Sequence, residues 1–372
     1  MSKRLSIGAA FLLGTSTLAA TVLMPTLAQA QVTTSEIAGT VTTPSGAAVS
    51  DATITLVNSE NGFTRTVRTN DLGGFAARNL TVNGLYNVTV TAEGYQPTQV
   101  EGLALTLGSS SVLNFTLSDG SIQDEIIVVA QRQVLADVAI GPSATFTQQQ
   151  LEDLPAINRD LKDIIRLDPR IYVDESFNDS VQCAGASPRF NSLTVDGIRL
   201  NDNFGLNSNG YPTERIPFSY DAIEQVSVEL APFDVEYGGF TACNINAVTK
   251  GGSNTLTGGA FIDYTTESLK GDTAGGQNVS NDGFEEIRYG FNLGLPIIKD
   301  KLFLFGAYEK QEGSDLFGSN TPEGTGITQA QYDEVISIAS SQYGYVSGGL
   351  PATVDNSDEK ILVKADWFIN DT

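Results

Sequence analysis

From Ile287 to Leu295 every second residue is apolar (Ile287, Tyr289, Phe291, Leu293, Leu295), and between them stand Arg288, Gly290, Asn292 and Gly294. A period of two belongs to an extended strand with one apolar and one polar or small face. The run also matches the roughly 9 to 11 residues that a tilted strand needs to cross a bilayer. Nothing after the first thirty residues approaches the roughly 20 apolar residues required of a spanning helix. Helices and closed barrels are the only ways to satisfy backbone polar groups in lipid. The chain beyond its leader is therefore water-soluble, or it enters a membrane as β-structure.

Three further segments share this character. "LTGGAFIDYTT" precedes the run, and "LFLFGAYEKQE" follows it across the turn Lys299-Asp300-Lys301. The latter is apolar on both faces, so alternation does not tell its lipid side. The fourth segment sets Ile361, Val363, Ala365 and Trp367 on one face against Lys364 and Asp366 on the other. An insert from Gly313 to Asp358 separates the last two, with a helical reading around Gln329 to Ser341, as suits a large extracellular loop. Bacterial barrels need at least about 8 strands, so residues 253–372 are expected to be the first strands of an incomplete barrel in a longer gene product. The competing reading is a soluble sheet that continues the preceding domain.

The leader supports export. Lys3 and Arg4 precede an apolar, small-residue run to Leu23, Pro25 breaks it, and Ala28-Gln29-Ala30 offers a signal-peptidase site that would leave Gln31 first. An uncleaved anchor is the alternative. The net charge of −23 becomes −25 once Lys3 and Arg4 leave, which disfavours nucleic acid or an anionic lipid surface as partner. Two cysteines, Cys183 and Cys243, form a natural disulfide in an oxidising compartment. In the chain-entropy model a bridge over such a loop contributes about 4 kcal/mol. Two buried thiols remain the alternative. The chain has no histidine, which removes the usual general base and the commonest metal ligand. No GxSxG, P-loop or dinucleotide spacing is present. The expectation is no enzyme, no cofactor and no metal.

Residues 31–118 read as short β-branched strands separated by Pro44-Ser45-Gly46, Asn61-Gly62, Leu72-Gly73-Gly74 and Asn83-Gly84. Five to seven strands in about 80 residues argue for a small antiparallel sandwich, with Phe75 and Tyr86 filling its core. Gly39, Val41, Gly46, Val49, Ala52 and Ile54, then Thr69, Asp71, Gly74 and Phe75, then Leu80, Gly84, Tyr86, Val88, Gly94 and Tyr95 resemble the carboxypeptidase-regulatory-like domain. Thr81-Val82-Asn83-Gly84 stands where that family has Pro-Pro-Gly. Despite its name, the family is not catalytic.

Residues 119–133 form a linker around an acidic pair and an apolar run, Asp124-Glu125-Ile126-Ile127-Val128-Val129-Ala130. Alone, such a run is an edge or core strand. Between two domains it is a tether whose backbone can extend and add to a partner's sheet edge, and it resembles the TonB box.

Residues 134–252 resemble the plug of TonB-dependent receptors. A helix N-capped by Thr147 is followed by a second starting near Asn158, with Leu161, Ile164, Ile165 and Leu167 as its apolar stripe. Leu193 and Val195 lead into the hairpin dipeptide Asp196-Gly197. Ile223, Val226 and Val228, Tyr237-Gly238-Gly239, and Ile245 to Gly252 follow in the family's order. Cys243 and Asn244 replace glycines common in the family, which points to a plug-internal bridge. With the sandwich in front, the order resembles the Oar-like subfamily.

The resemblance implies a mainly β protein: a sandwich, an α+β plug and the first antiparallel strands of a transmembrane barrel. It implies a receptor in the outer membrane, with its sandwich and box in the periplasm, that binds a nutrient and imports it using force transmitted through TonB. TonB contact falls on Asp124 to Ala130. Substrate contact falls on the apical loop that carries Asn201, Asp202, Asn203, Asn207, Asn209 and Tyr211. The rival is a secreted or periplasmic binding or adhesion protein in which the sandwich does the work.

Overall fold

The structure, a computed structural model, describes residues 33–119, 126–129, 143–154, 156–176, 179–202, 204–205, 207, 213, 215–230, 232, 238–271, 273–274, 277–278, 283–316, 322, 326–347 and 353–369. The expected leader and its cleavage point at Ala30 and Gln31 lie outside these residues.

The first unit is a sandwich of two sheets. One carries β4 (Gly74–Thr81), β1 (Thr34–Thr42) and β7 (Ser110–Val112), with β8 (Phe115–Thr116) also on β1. The other has the order β3 (Thr64–Arg68), β2 (Thr53–Asn58), β5 (Leu85–Thr91), β6 (Thr98–Ala104) and β9 (Ile126–Val129). Alternation sends Ile54, Leu56, Tyr86, Val88 and Val90 inward, where all are fully buried, with Phe75 against Phe115 closing the core. Gly73 adopts φ 73° at the turn into β4, where an added Cβ would fall 2.5 Å from the Val41 carbonyl oxygen. The sheets are mixed rather than purely antiparallel as expected: β7 and β8 run parallel to β1, and β9 parallel to β6. The cause is that the chain crosses from one sheet to the other after β6 instead of turning back as a hairpin.

The second unit is a five-stranded sheet with the order β10 (Ser143–Phe146), β15 (Ile223–Leu230), β16 (Cys243–Thr249), β13 (Ser192–Val195) and β14 (Ile198–Arg199). Beside it lies a ribbon of β11 (Ile171–Asp174) and β12 (Ser180–Cys183). Helix α1 (Gln148–Asp153) begins at Thr147, whose N–H donates to Gln150 Oε1 at 3.0 Å. The expected start of the second helix near Asn158 is corrected. Arg159 takes a left-handed φ of 50°, and Asp160 caps α2 (Leu161–Ile165) by accepting from Lys162 N at 2.9 Å. The apolar stripe shrinks to Leu161, Ile164 and Ile165, all fully buried. Leu167 lies beyond the helix and is 51% exposed.

The third unit is an antiparallel sheet with the order β17 (Thr257–Thr266), β20 (Glu285–Ile298), β21 (Leu302–Leu316) and β22 (Thr353–Trp367). A two-residue ribbon, β18 (Thr273–Ala274) with β19 (Gln277–Asn278), stands between the first two. β21 and β22 pair from Leu302↔Trp367 to Leu316↔Thr353. The insert between them is therefore shorter than the expected Gly313 to Asp358, because both strands continue past those bounds. It contains α3 (Gln329–Tyr343), started by Thr328 and stopped by Gly344 at φ 63°.

Candidate functional site

The third sheet is folded around its polar face. On β20, Arg288 and Gly290 are buried, whereas Phe291 and Leu293 are exposed. On β22, Lys360 is buried, whereas Ile361, Val363 and Trp367 are each at least 66% exposed. β21, whose two faces the sequence leaves undecided, is settled by register. Glu309 lies opposite Gly290 and Gln311 opposite Arg288, so Phe303, Phe305, Ala307, Glu309 and Gln311 share the inward face.

That inward face grips the plug through polar groups. Ser219 Oγ donates to Glu309 Oε2 at 3.0 Å, and Lys360 Nζ donates to Glu309 Oε1 at 2.9 Å. Arg288 Nη1 donates to the Asn158 carbonyl at 2.6 Å, and Lys364 Nζ to the Thr249 carbonyl at 3.0 Å. Arg159 pairs with Asp221 at 2.5 Å and lays its guanidinium 3.5 Å over the Phe261 ring. The left-handed turn at Arg159 thus aims a cation at the first strand of the sheet, a role that no motif in the sequence announces.

The plug has two distinct ends. At one, the Asp196-Gly197 hairpin takes φ 48° and 77°, and Asp196 Oδ1 accepts from Thr249 N at 2.9 Å. The sandwich sits at this end. Gln225 Oε1 accepts from Leu107 N at 3.1 Å, Gln225 Nε2 donates to the Leu105 carbonyl at 2.9 Å, and Val248 packs in the sandwich core. The tight turn between β20 and β21 is here too. Asn254 N donates to the Glu60 carbonyl, Asn254 Nδ2 to Asp300 Oδ1, each at 2.7 Å, and Phe63 meets Phe368 with ring centroids 5.1 Å apart.

At the opposite end of β13 and β16 lie the Asn201 loop and the disulfide between Cys183 and Cys243, whose Cα atoms are 6.0 Å apart. The insert between β21 and β22 belongs to this end as well, since β21 runs from the Asp300 turn at the sandwich end to Leu316 at the other; Arg215 Nη2 donates to Asn356 Oδ1 near the start of β22 at 3.3 Å.

Of the expected substrate residues, Asn201 uses both ends of its amide on the backbone, accepting from Leu193 N and donating to the Asn191 carbonyl. Asp202 orders the loop by accepting from Phe204 N, Gly205 N and Asn207 N. These two build the loop rather than reaching out of it. Phe204, not singled out by the sequence, is 89% exposed beside them. Asn203, Asn209 and Tyr211 lie outside the described residues.

Of the expected TonB contacts, Asp124, Glu125 and Ala130 lie outside the described residues. Ile126 to Val129 are not a free tether but the edge strand β9, in register with Thr98 to Glu101.

Between sandwich and plug, burial pushes the Glu224 carboxyl up to about 7, and Glu60 on the sandwich is likewise raised by burial. Among the described residues no cluster of side chains could hold a metal. The arrangement offers polar and ionic contacts between sheet and plug, and a strand edge at β9.

A globule held against the inward face of an amphipathic sheet, with a sandwich beneath it, is the arrangement of a plug on the first strands of an incomplete barrel. The chain matches the carboxypeptidase regulatory-like domain over residues 36–118 and the TonB-dependent receptor plug domain over residues 137–243. Over its second unit the chain is thus similar to TonB-dependent receptors. It is 26% identical over 245 residues to the TonB-dependent transporter Oar of Myxococcus xanthus, covering 60% of this chain and 22% of that protein; the chain thus spans about a fifth of the relative's length. Among solved structures it is similar to the outer membrane transporter YddB from Escherichia coli (TM-score 0.43, 17% identity, 63% of this chain and 32% of that one). It is also similar to the siderophore receptor PirA from Acinetobacter baumannii (TM-score 0.38, 21% identity, 49% and 26%).

Proposed function

We propose that the protein is an outer-membrane receptor that binds a nutrient at the cell surface and imports it with energy delivered through TonB. The observation that carries this reading is the inverted sheet: ionic and amide groups face the plug, while Ile262, Phe291, Ile361, Val363 and Trp367 face away from the protein. In water such a face is a liability; in lipid it is the required one. Barrels of this kind put short turns in the periplasm and long loops outside. The sandwich and the Asp300 turn are therefore periplasmic, and the Asn201 loop, Phe204 and the α3 insert face the exterior, where substrate arrives. The adhesion reading requires a product that is soluble without detergent, and the exposed apolar face argues against it.

TonB pairs with Asp124 to Ala130 as an added strand. Deleting these seven residues from the receptor in cells is expected to abolish nutrient uptake while leaving surface binding unchanged. Uptake that survives the deletion removes the coupling role from this segment.

A further inference from the structure

The proposed coupling segment is already a strand. Ile126 to Val129 pair in parallel with Thr98 to Glu101 and close the sheet β3-β2-β5-β6-β9. Among the described residues, β9 has a strand partner on one edge only. Backbone N–H and C=O groups of a strand are shared between its two edges, so pairing with β6 leaves the outer set directed away from the sheet. Four β-branched residues in succession favour this extended state.

What β6 does next is informative. The chain leaves β6 at Ala104, and the Leu105 carbonyl and Leu107 N–H then hold the two ends of the Gln225 amide, in the middle of the sandwich–plug contact. Gln225 belongs to β15. A hydrogen-bonded route therefore runs from β9 through β6 and Gln225 into the plug sheet. The covalent route, along the chain after β9, reaches β10, which pairs with the same β15. Both routes converge on one plug strand.

We propose that the sandwich is a docking platform for the energising partner: the open edge of β9 accepts an extended strand of the TonB periplasmic domain as the sixth strand of this sheet, and force enters the plug at β15 through β6 and Gln225. The proposal rests on the coupling role given above to Asp124 to Ala130. A free tether loses its backbone freedom when the partner arrives, whereas a segment already paired with β6 has lost it beforehand, so pre-pairing favours binding. The platform also fixes which edge is offered.

The test locks β9 onto β6. Gln99→Cys and Ile127→Cys, residues in direct register, are introduced into the full-length receptor in detergent. They are cross-linked by mild oxidation, and binding of the purified TonB periplasmic domain is measured before and after reduction. The platform predicts that the cross-link forms and that the locked receptor binds within about threefold of the reduced one, or more tightly. Failure of the cross-link to form overturns the pairing. A loss of tenfold or more on locking overturns the platform and means that β6 hides the segment; the coupling role survives if the Asp124–Ala130 deletion also loses binding. A deletion that binds normally overturns the coupling role itself, and the platform with it.

Discussion

The sandwich and the four-stranded sheet are written with the same period of two and folded with opposite senses. In the sandwich, Ile54, Leu56, Val88 and Val90 turn inward and threonines turn out. In the sheet of β17, β20, β21 and β22, Glu309, Gln311, Arg288 and Lys360 turn inward while Ile361, Val363 and Trp367 turn out. Alternation fixes that a strand has two faces; it does not say which face is covered. In the sandwich a second apolar sheet covers the apolar face, and the hydrophobic effect decides. In the other sheet the inward face meets the plug's Ser219, Asn158 and Thr249 through hydrogen bonds to buried charge, beside a small apolar contact of Phe305 and Ala307 with Ala222. What lies opposite a strand sets its sense.

The strongest way to break this contrast is to remove charge from the inward face. Glu309 and Lys360 have side chains only 2% and 6% exposed, and Ser219 joins them. Stranding one member of a buried pair outright costs about 3–5 kcal/mol; truncating Glu309 leaves Lys360 its second partner, Asp358 at 3.1 Å, so the loss falls near the lower end, about 3 kcal/mol. Glu309→Ala is expected to lower stability by that amount, measured by urea unfolding in detergent, and to loosen the plug from the sheet. A cost below about 1 kcal/mol would mean that water already fills this interface.

Much of this organisation is legible in the sequence because it is periodic or punctuated. The Asp196-Gly197 hairpin, the buried triad Ile223, Val226 and Val228, and the faces of β20 and β22 all follow from local pattern. What escapes is decided by a partner far away in the chain. Phe303 and Phe305 look no different from Leu302 and Leu304 until β20 supplies the register. Gln225 is one amide among many until Leu105 and Leu107 close on it. The run Ile126 to Val129 reads as a tether from its place between two domains, and only its pairing with β6 makes it an edge strand. Leu167 falls outside its expected stripe because the helix ends at Ile165, with Arg166 as its C-cap. The loop at Asn201 is rich in groups that look ready for a ligand, yet backbone hydrogen bonds occupy its first two residues, Asn201 on Asn191 and Leu193 at β13 and Asp202 within the loop itself.

A paired substitution sharpens the contrast with less force. Leu56 is fully buried, so Leu56→Ala removes packed methyl groups and leaves a cavity, a loss of about 2–5 kcal/mol. Val363 is 70% exposed on the outward face, so Val363→Ala is expected to change stability by no more than about 0.5 kcal/mol in detergent. Both are read from urea midpoints. Comparable losses would place Val363 against protein and erase the outward sense of β22.

The smallest effect concerns the seam between the two folding senses. Glu224 stands at the sandwich–plug junction, where burial raises its carboxyl to about 7, assisted by Glu60 and Glu152 and opposed by Lys250 and Lys364. A carboxyl raised in the folded state favours folding while protonated. Its contribution is complete below the ordinary carboxylate value near 4.5 and is lost as pH rises through about 7. Asp168 works in the other direction, held low by Arg170, so its contribution is lost only on acidification below the usual carboxylate range. Between pH 5 and 8 the Glu224 term therefore stands apart from the Asp168 term. Glu224 keeps partial access to solvent, which limits the loss to the order of 1–2 kcal/mol. Urea midpoints are expected to fall across that window, and Glu224→Gln, which stays neutral, is expected to flatten the slope. A slope unchanged by Glu224→Gln would mean that the seam is wet enough to keep this carboxylate charged, and that the sandwich rests on the plug through contacts such as Gln225 and Val248.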